Sequence, residues 1–274
     1  MFSRTLLALL ALSPIVLVNA GIFPKNSPVK MLDPKGFREA MKLNQTSVVA
    51  FVAPWCGHCQ RMGPEYEKAA KGLNPLIATY AVDCDEDKNK KLCAQQEVKG
   101  FPTVKVFPRG KSLPPMNFEQ ERTSNSIYNF AARRVPKAFK EIIKEKDVKP
   151  WIQKNKSSKH RALLLTKDKR VPLLWKVVAN AYSHTDIEFG AFGDKEGKLA
   201  KELGFDEGKS TVVLFQKGED SGKKYTGVTK LEELTKFFKS VADEALDTLP
   251  LEASSAKFPT EDGDAESKKP TDEL

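Results

Sequence analysis

Apolar residues in this chain fall into short unbroken runs that alternate with stretches where they recur every three or four positions, and the alternation occurs twice. In the first half, Asp33 followed by Pro34 supplies an N-cap and a first-turn proline, predicting a helix to about Lys42 after a brief strand near Val29. Ser47 to Ala53 reads as a strand and Cys56 to Leu73 as a helix. Leu76 to Val82 is a further strand, followed by a helix from about Lys88 to Gln96. A turn through Gly100-Phe101-Pro102 then enters a strand ending near Phe107, with an antiparallel strand near Asn117 and a helix from about Ser124 to Ala138. The order is β-α-β-α-β-β-α.

From about Lys140 the order restarts. Trp151 to Gln153 predicts a short helix, Ala162 to Thr166 a strand, Val171 to Tyr182 a helix and Ile187 to Phe192 a strand. Lys198 to Leu203 predicts a helix, Thr211 to Gln216 and Lys223 to Thr226 a strand pair, and Leu231 to Ala245 a closing helix. Two such units predict an α/β fold, each with a mixed central sheet and helices on both faces. From Leu249 the chain is rich in Ser, Pro, Asp, Glu and Lys, cannot bury a core and is expected to lack structure. The division predicted is therefore 1–20, 21–139, 140–248 and 249–274.

Composition changes this picture mainly at the ends. Arg4 precedes an apolar run from Leu6 to Val18, and Val18-Asn19-Ala20 is a small-residue cleavage pattern, so residues 1–20 read as a secretory leader. That run is interrupted by Ser13-Pro14 and is shorter than the roughly 20 residues a spanning helix needs. No later stretch is long and apolar enough, so no membrane span is expected. The last four residues, Thr271-Asp272-Glu273-Leu274, resemble a lumenal retrieval signal, with Thr271 where Lys or His is usual. These addresses predict the endoplasmic reticulum lumen, with a retrieval receptor binding the C-terminus. Sequons at Asn44 and Asn155 fit the same route and predict surface loops. The formal charge is +9, and the lysines are scattered along predicted helices, which describes a solvated surface rather than a nucleic-acid face.

The candidate chemistry lies in Ala53-Pro54-Trp55-Cys56-Gly57-His58-Cys59. An apolar strand ends at a proline and delivers two thiols to a helix N-terminus, where the first backbone N–H groups stabilise a thiolate at Cys56. Protonated His58 adds to the same bias. The motif in this context resembles the active site of the protein disulfide isomerase family, and the likeness covers residues 28 to 138.

That resemblance implies tandem thioredoxin-like domains, the second redox-inactive because all four cysteines lie in the first. It implies a Cys56/Cys59 redox dithiol spaced by Gly57 and His58, with Cys56 exposed at the helix start and Cys59 more buried and acting to resolve mixed disulfides. Pro102 matches a proline held in the cis form opposite the active site. Trp55, Phe101, Pro102 and Thr103 are the expected client contacts, the last through backbone groups that meet an extended segment. Arg122 aligns with an arginine that lowers the pKa of the second cysteine. Cys84 and Cys93 match a structural disulfide of smaller fungal members, a closure that would contribute roughly 2–3 kcal/mol. A four-cysteine zinc site is the competing arrangement.

The sequence departs from the family at one pair. A buried Glu and a partner Lys usually shuttle the proton of the second cysteine; Ala50 and Ala81 stand there instead. The function implied is thiol–disulfide exchange on unfolded or misoxidised secretory proteins, with glutathione or a lumenal thiol oxidase as redox partner and neither cofactor nor metal. The alternative is a chaperone or adaptor that binds unfolded clients, its redox chemistry incidental.

Overall fold

The computed structural model describes residues 22–24, 26–154, 157–205, 210–244 and 251–253. The predicted leader, the sequon Asn155, most of the tail and its last four residues lie outside them.

The first unit runs β1 (Lys30–Met31), α1 (Pro34–Lys42), β2 (Ser47–Val52), α2 (Gly57–Leu73), β3 (Ala78–Asp83), α3 (Asp87–Gln95), β4 (Thr103–Lys111), β5 (Met116–Asn117) and α4 (Ser124–Arg134). Its sheet has the order β1-β3-β2-β4-β5. β2 pairs parallel with β3 and antiparallel with β4. It is buried along its whole length, which is why the sequence there is a continuous apolar run rather than an alternation. Val48, Ala50 and Val52 pack with residues of α2 and α4, while Val49 and Phe51 pack with α1 and α3.

Local chemistry sets the helix ends. The Asp33 carboxylate accepts from the Gly36 N–H at 2.7 Å, and Pro34 occupies the first turn of α1. α4 stops at Arg134, short of the predicted Ala138, because Val135 precedes Pro136 and is held extended at φ −60°, ψ 120°.

The second unit runs β6 (Lys140–Ile142), a short 3-10 turn, α5 (Val148–Gln153), β7 (His160–Thr166), α6 (Leu173–Ala181), β8 (Ile187–Gly193), α7 (Lys198–Glu202), β9 (Thr211–Phe215), β10 (Gly222–Tyr225), α8 (Leu231–Ala242) and β11 (Leu251–Ala253). The sheet order β11-β10-β9-β7-β8-β6 repeats the first sheet with one strand added beyond β10. Its central strand β7 is again buried throughout. α6 and α8 cover one face and α5 and α7 the other. The two units meet where the Arg109 guanidinium donates to the Asn180 side-chain oxygen and, at 3.1 Å, to the Ser183 hydroxyl.

Two strands were not expected. β6 contributes a single buried side chain, Ile142, after the exposed Lys140 and Glu141 and before the exposed Ile143, too little for a periodic signal. β11 lies where the tail was expected to lack structure; Leu251–Ala253 pairs antiparallel with Lys223–Tyr225. Its pairing partner, not its composition, orders it. Among the described residues no helix is long and apolar enough to cross a membrane.

Candidate active site

β2 ends at Val52 and the chain turns through Ala53-Pro54-Trp55, closed by the Cys56 N–H donating to the Ala53 carbonyl at 3.1 Å. This turn makes Cys56 the N-cap of α2: its backbone is extended, and its Sγ accepts from the Cys59 N–H at 3.3 Å. A sulfur thus takes the place usually filled by a serine or aspartate oxygen, where helix N–H groups favour negative charge.

The consequence is a divided pair of thiols. At Cys56, burial pulls the pKa upward, but hydrogen bonds from the Cys59 thiol and from the Cys59 and His58 N–H groups, with the Arg61 charge, outweigh it and leave the pKa lowered. At Cys59, burial and its hydrogen bond to Cys56 push the pKa up to about 12; the Arg122 charge pulls the other way. Both cysteines are free thiols. Cys59 is fully enclosed, and Cys56, expected to be exposed, retains only 7% of its surface.

What covers Cys56 is the segment opposite. The Phe101–Pro102 bond is cis, as expected, and the Cys56 thiol reaches the Phe101 carbonyl at 3.6 Å. Pro102 is buried, while Phe101 and Thr103 are half-buried. Thr103 opens β4 opposite Phe51, and its hydroxyl donates to the Gly100 carbonyl. Trp55 is 67% exposed, stands edge-on to Phe101 with centroids 6.0 Å apart, and donates its indole N–H to the Asp85 carboxylate at 2.9 Å. Trp55, Cys56, Phe101 and Pro102 therefore converge.

His58 contributes its backbone N–H; the cationic side chain acting on Cys56 is Arg61, which sequence reasoning missed. Arg61 lies one turn into α2, and that spacing from the N-cap was the available signal. Arg122 sits in the exposed loop before α4, anchored where the Ser124 N–H donates to Glu65 of α2 at 2.6 Å. Ala50 and Ala81 are register partners on β2 and β3, both fully buried on the Cys59 side of the sheet.

Cys84 and Cys93 form a disulfide with Cα atoms 6.0 Å apart, so a site with all four cysteines as thiolate ligands is not the arrangement present. Asn44 is exposed next to the buried Thr46 of the same sequon, whose hydroxyl donates to the Pro108 carbonyl.

Fold and site together define a thioredoxin-fold dithiol protein, and residues 28–133 match the thioredoxin family. A mitochondrial thioredoxin domain-containing protein of Schizosaccharomyces pombe is 31% identical over 71% of this chain and 54% of its own length. Probable protein disulfide-isomerase A6 of Medicago sativa is 31% identical over 76% of this chain and 60% of its own. Protein disulfide-isomerase MPD1 of Saccharomyces cerevisiae is 34% identical over 59% and 56%. Residues 28–133 are thus a thioredoxin-family domain, and the relatives the chain is similar to include proteins named protein disulfide-isomerase. It spans just over half the length of the curated relatives it matches.

Proposed function

We propose that this protein is a thiol–disulfide oxidoreductase and isomerase acting through Cys56 and Cys59. The observation that carries the reading is the opposed pair of thiols at the start of α2, one with a lowered pKa and the other raised to about 12. A thiolate attacks and leaves more readily than a thiol, so the site holds one sulfur ready and the other in reserve.

In the reducing direction the Cys56 thiolate attacks one sulfur of a client disulfide. A Cys56–client bond forms, the client S–S bond breaks, and the second client sulfur departs as a thiolate. Cys59 then gives up its proton and attacks the Cys56 sulfur. The Cys56–Cys59 disulfide forms, the remaining client sulfur is released and protonated, and two electrons have passed to the client. The reverse sequence oxidises a client dithiol, and attack by a freed client thiolate on the mixed disulfide rearranges pairings. Trp55, Phe101 and Pro102 form the rim a client meets, and Arg122 eases ionisation of Cys59.

The domain reading is retained: 21–139 is catalytic and 140–248 is a redox-inactive thioredoxin-like unit. Supporting it, the second sheet repeats the strand order of the first, and the sequence places no cysteine in that segment. Clients are unfolded or misoxidised secretory proteins, with glutathione or a thiol oxidase completing the cycle. The leader-like residues 1–20 and the Thr271–Leu274 ending support the endoplasmic reticulum lumen.

Reactivation of scrambled ribonuclease in a glutathione buffer, with Cys56→Ser as comparison, tests the proposal. Activity in the parent chain and its loss in the variant are expected. Equal client rescue by both would overturn it in favour of a holding chaperone.

A further inference from the structure

Asp85 is an acidic residue that the exchange chemistry does not use. The charged side chains acting on Cys56 and Cys59 are Arg61 and Arg122. Yet Asp85 is fixed with unusual care for an exposed loop residue. β2 and β3 run parallel in a register that sets Val52 beside Asp83, so the residues following each strand leave the sheet side by side. The Cys84 N–H donates to the Val52 carbonyl at 2.8 Å and carries the ladder one step further. The Asp85 N–H donates to the Asp83 carboxylate at 2.9 Å, and the Asn89 amide donates to the Asp83 carbonyl at 2.7 Å. Cys84 is in addition covalently tied to Cys93 on α3. The carboxylate so placed receives the Trp55 indole N–H at 2.9 Å.

A tryptophan with two-thirds of its surface in water gains little from packing and would otherwise sample several rotamers. The bond to Asp85 selects one of them, the rotamer that stands edge-on to Phe101, the residue whose carbonyl the Cys56 thiol reaches. We propose that Asp85 is a positioning residue: it holds Trp55 as a fixed wall of the client-binding rim, so that an apolar side chain beside a client cysteine meets a preformed surface. This rests on the exchange activity proposed above. Pre-ordering a contact residue lowers the entropic cost of binding and leaves the sulfur chemistry untouched.

The test uses the full chain and a peptide disulfide with an apolar residue next to its cysteine. Asp85→Ala is expected to raise KM about fivefold, which is about 1 kcal/mol at 1.4 kcal/mol per tenfold. kcat and the glutathione equilibrium of the Cys56–Cys59 pair stay unchanged, and the Trp55 indole N–H resonance moves. Asp85→Asn keeps an acceptor oxygen and restores both KM and resonance. In a Trp55→Ala background Asp85→Ala has no further effect, as coupling through one partner requires. Thiol counting verifies that Cys84–Cys93 stays closed in each variant. An unchanged KM in Asp85→Ala, equal losses in the Ala and Asn variants, or a full effect without Trp55 would overturn the proposal. Failure of the parent chain to equilibrate with glutathione would instead overturn the exchange activity itself.

Discussion

The raised pKa of Cys59 sets a rate that can be worked out and tested. With the thiol near 12 rather than its ordinary 9.0, the thiolate fraction at pH 7 falls from about 10⁻² to about 10⁻⁵. A more basic thiolate is a better nucleophile, but with a Brønsted coefficient of 0.4–0.5 three units recover only about 16- to 32-fold. The second step is thus slowed roughly 30- to 60-fold relative to an ordinary thiol. Part of this lifts during turnover, because a Cys56 engaged in a mixed disulfide no longer carries charge or accepts the Cys59 hydrogen bond. Burial, the largest cause, remains. The cross-strand pair Ala50 and Ala81 leaves no ionisable side chain at those positions to take up the proton. Ala50→Glu with Ala81→Lys restores a carrier, and single-turnover quench of the peptide mixed disulfide measures the result. The expected outcome is resolution at least tenfold faster in the double variant, and in the parent a rate that climbs about tenfold per pH unit between 7 and 9. Two long side chains in a closed core carry an overpacking penalty of about 1–3 kcal/mol, so the variant is compared at matched folded fraction. A parent rate indifferent to pH, or no acceleration in a folded double variant, would refute the reasoning.

His58→Pro removes the N–H that bonds the Cys56 sulfur, so the alkylation midpoint of Cys56 is expected to rise, from the loss of one charge-assisted hydrogen bond. His58→Ala retains that N–H and is expected to move the midpoint less; iodoacetamide rates against pH compare the two. Cys84→Ala with Cys93→Ala reopens a closure of sequence separation 9, and denaturant titration is expected to show a loss of about 2.6 kcal/mol by the chain-entropy relation. Tyr66→Phe removes a buried hydroxyl lying 3.1 Å from the Val48 carbonyl and 2.8 Å from the Tyr80 carbonyl; the same titration is expected to show about 1–2 kcal/mol. Because Cys59 binds its proton more tightly folded than unfolded, the stability this gives the reduced protein is complete below pH 9 and is lost as the pH climbs toward 12. The oxidised protein lacks that term, and paired melting curves separate the two.

The parts of the fold legible in the sequence are those whose cause is local. Asp33-Pro34 marks its helix start, and the buried run Ser47–Val52 marks a central strand, because each signal is complete within a few residues. The active pair was legible for the same reason: a strand, a proline and two thiols one turn apart dictate the geometry of an N-cap. What was not legible depends on partners far along the chain. Burial of Cys56 comes from Phe101, 45 residues away, and the Trp55–Asp85 bond depends on the parallel register of β2 and β3. β11 depends on β10 offering it an open side. Arg61, three residues beyond His58, also acts on the sulfur, and a reading confined to the short motif does not reach it.

Among the described residues, the outermost strands of the first sheet, β1 and β5, are only two residues long, and those of the second, β6 and β11, only three. An exposed strand margin is an invitation for any loose polypeptide to zip onto it, the route by which sheets aggregate. Under the exchange activity proposed above, the protein would meet that hazard at every encounter with an unfinished chain. Margins this brief offer a visitor only a few main-chain bonds, so on that proposal a client would be retained by its sulfur and let go when the sulfur is released.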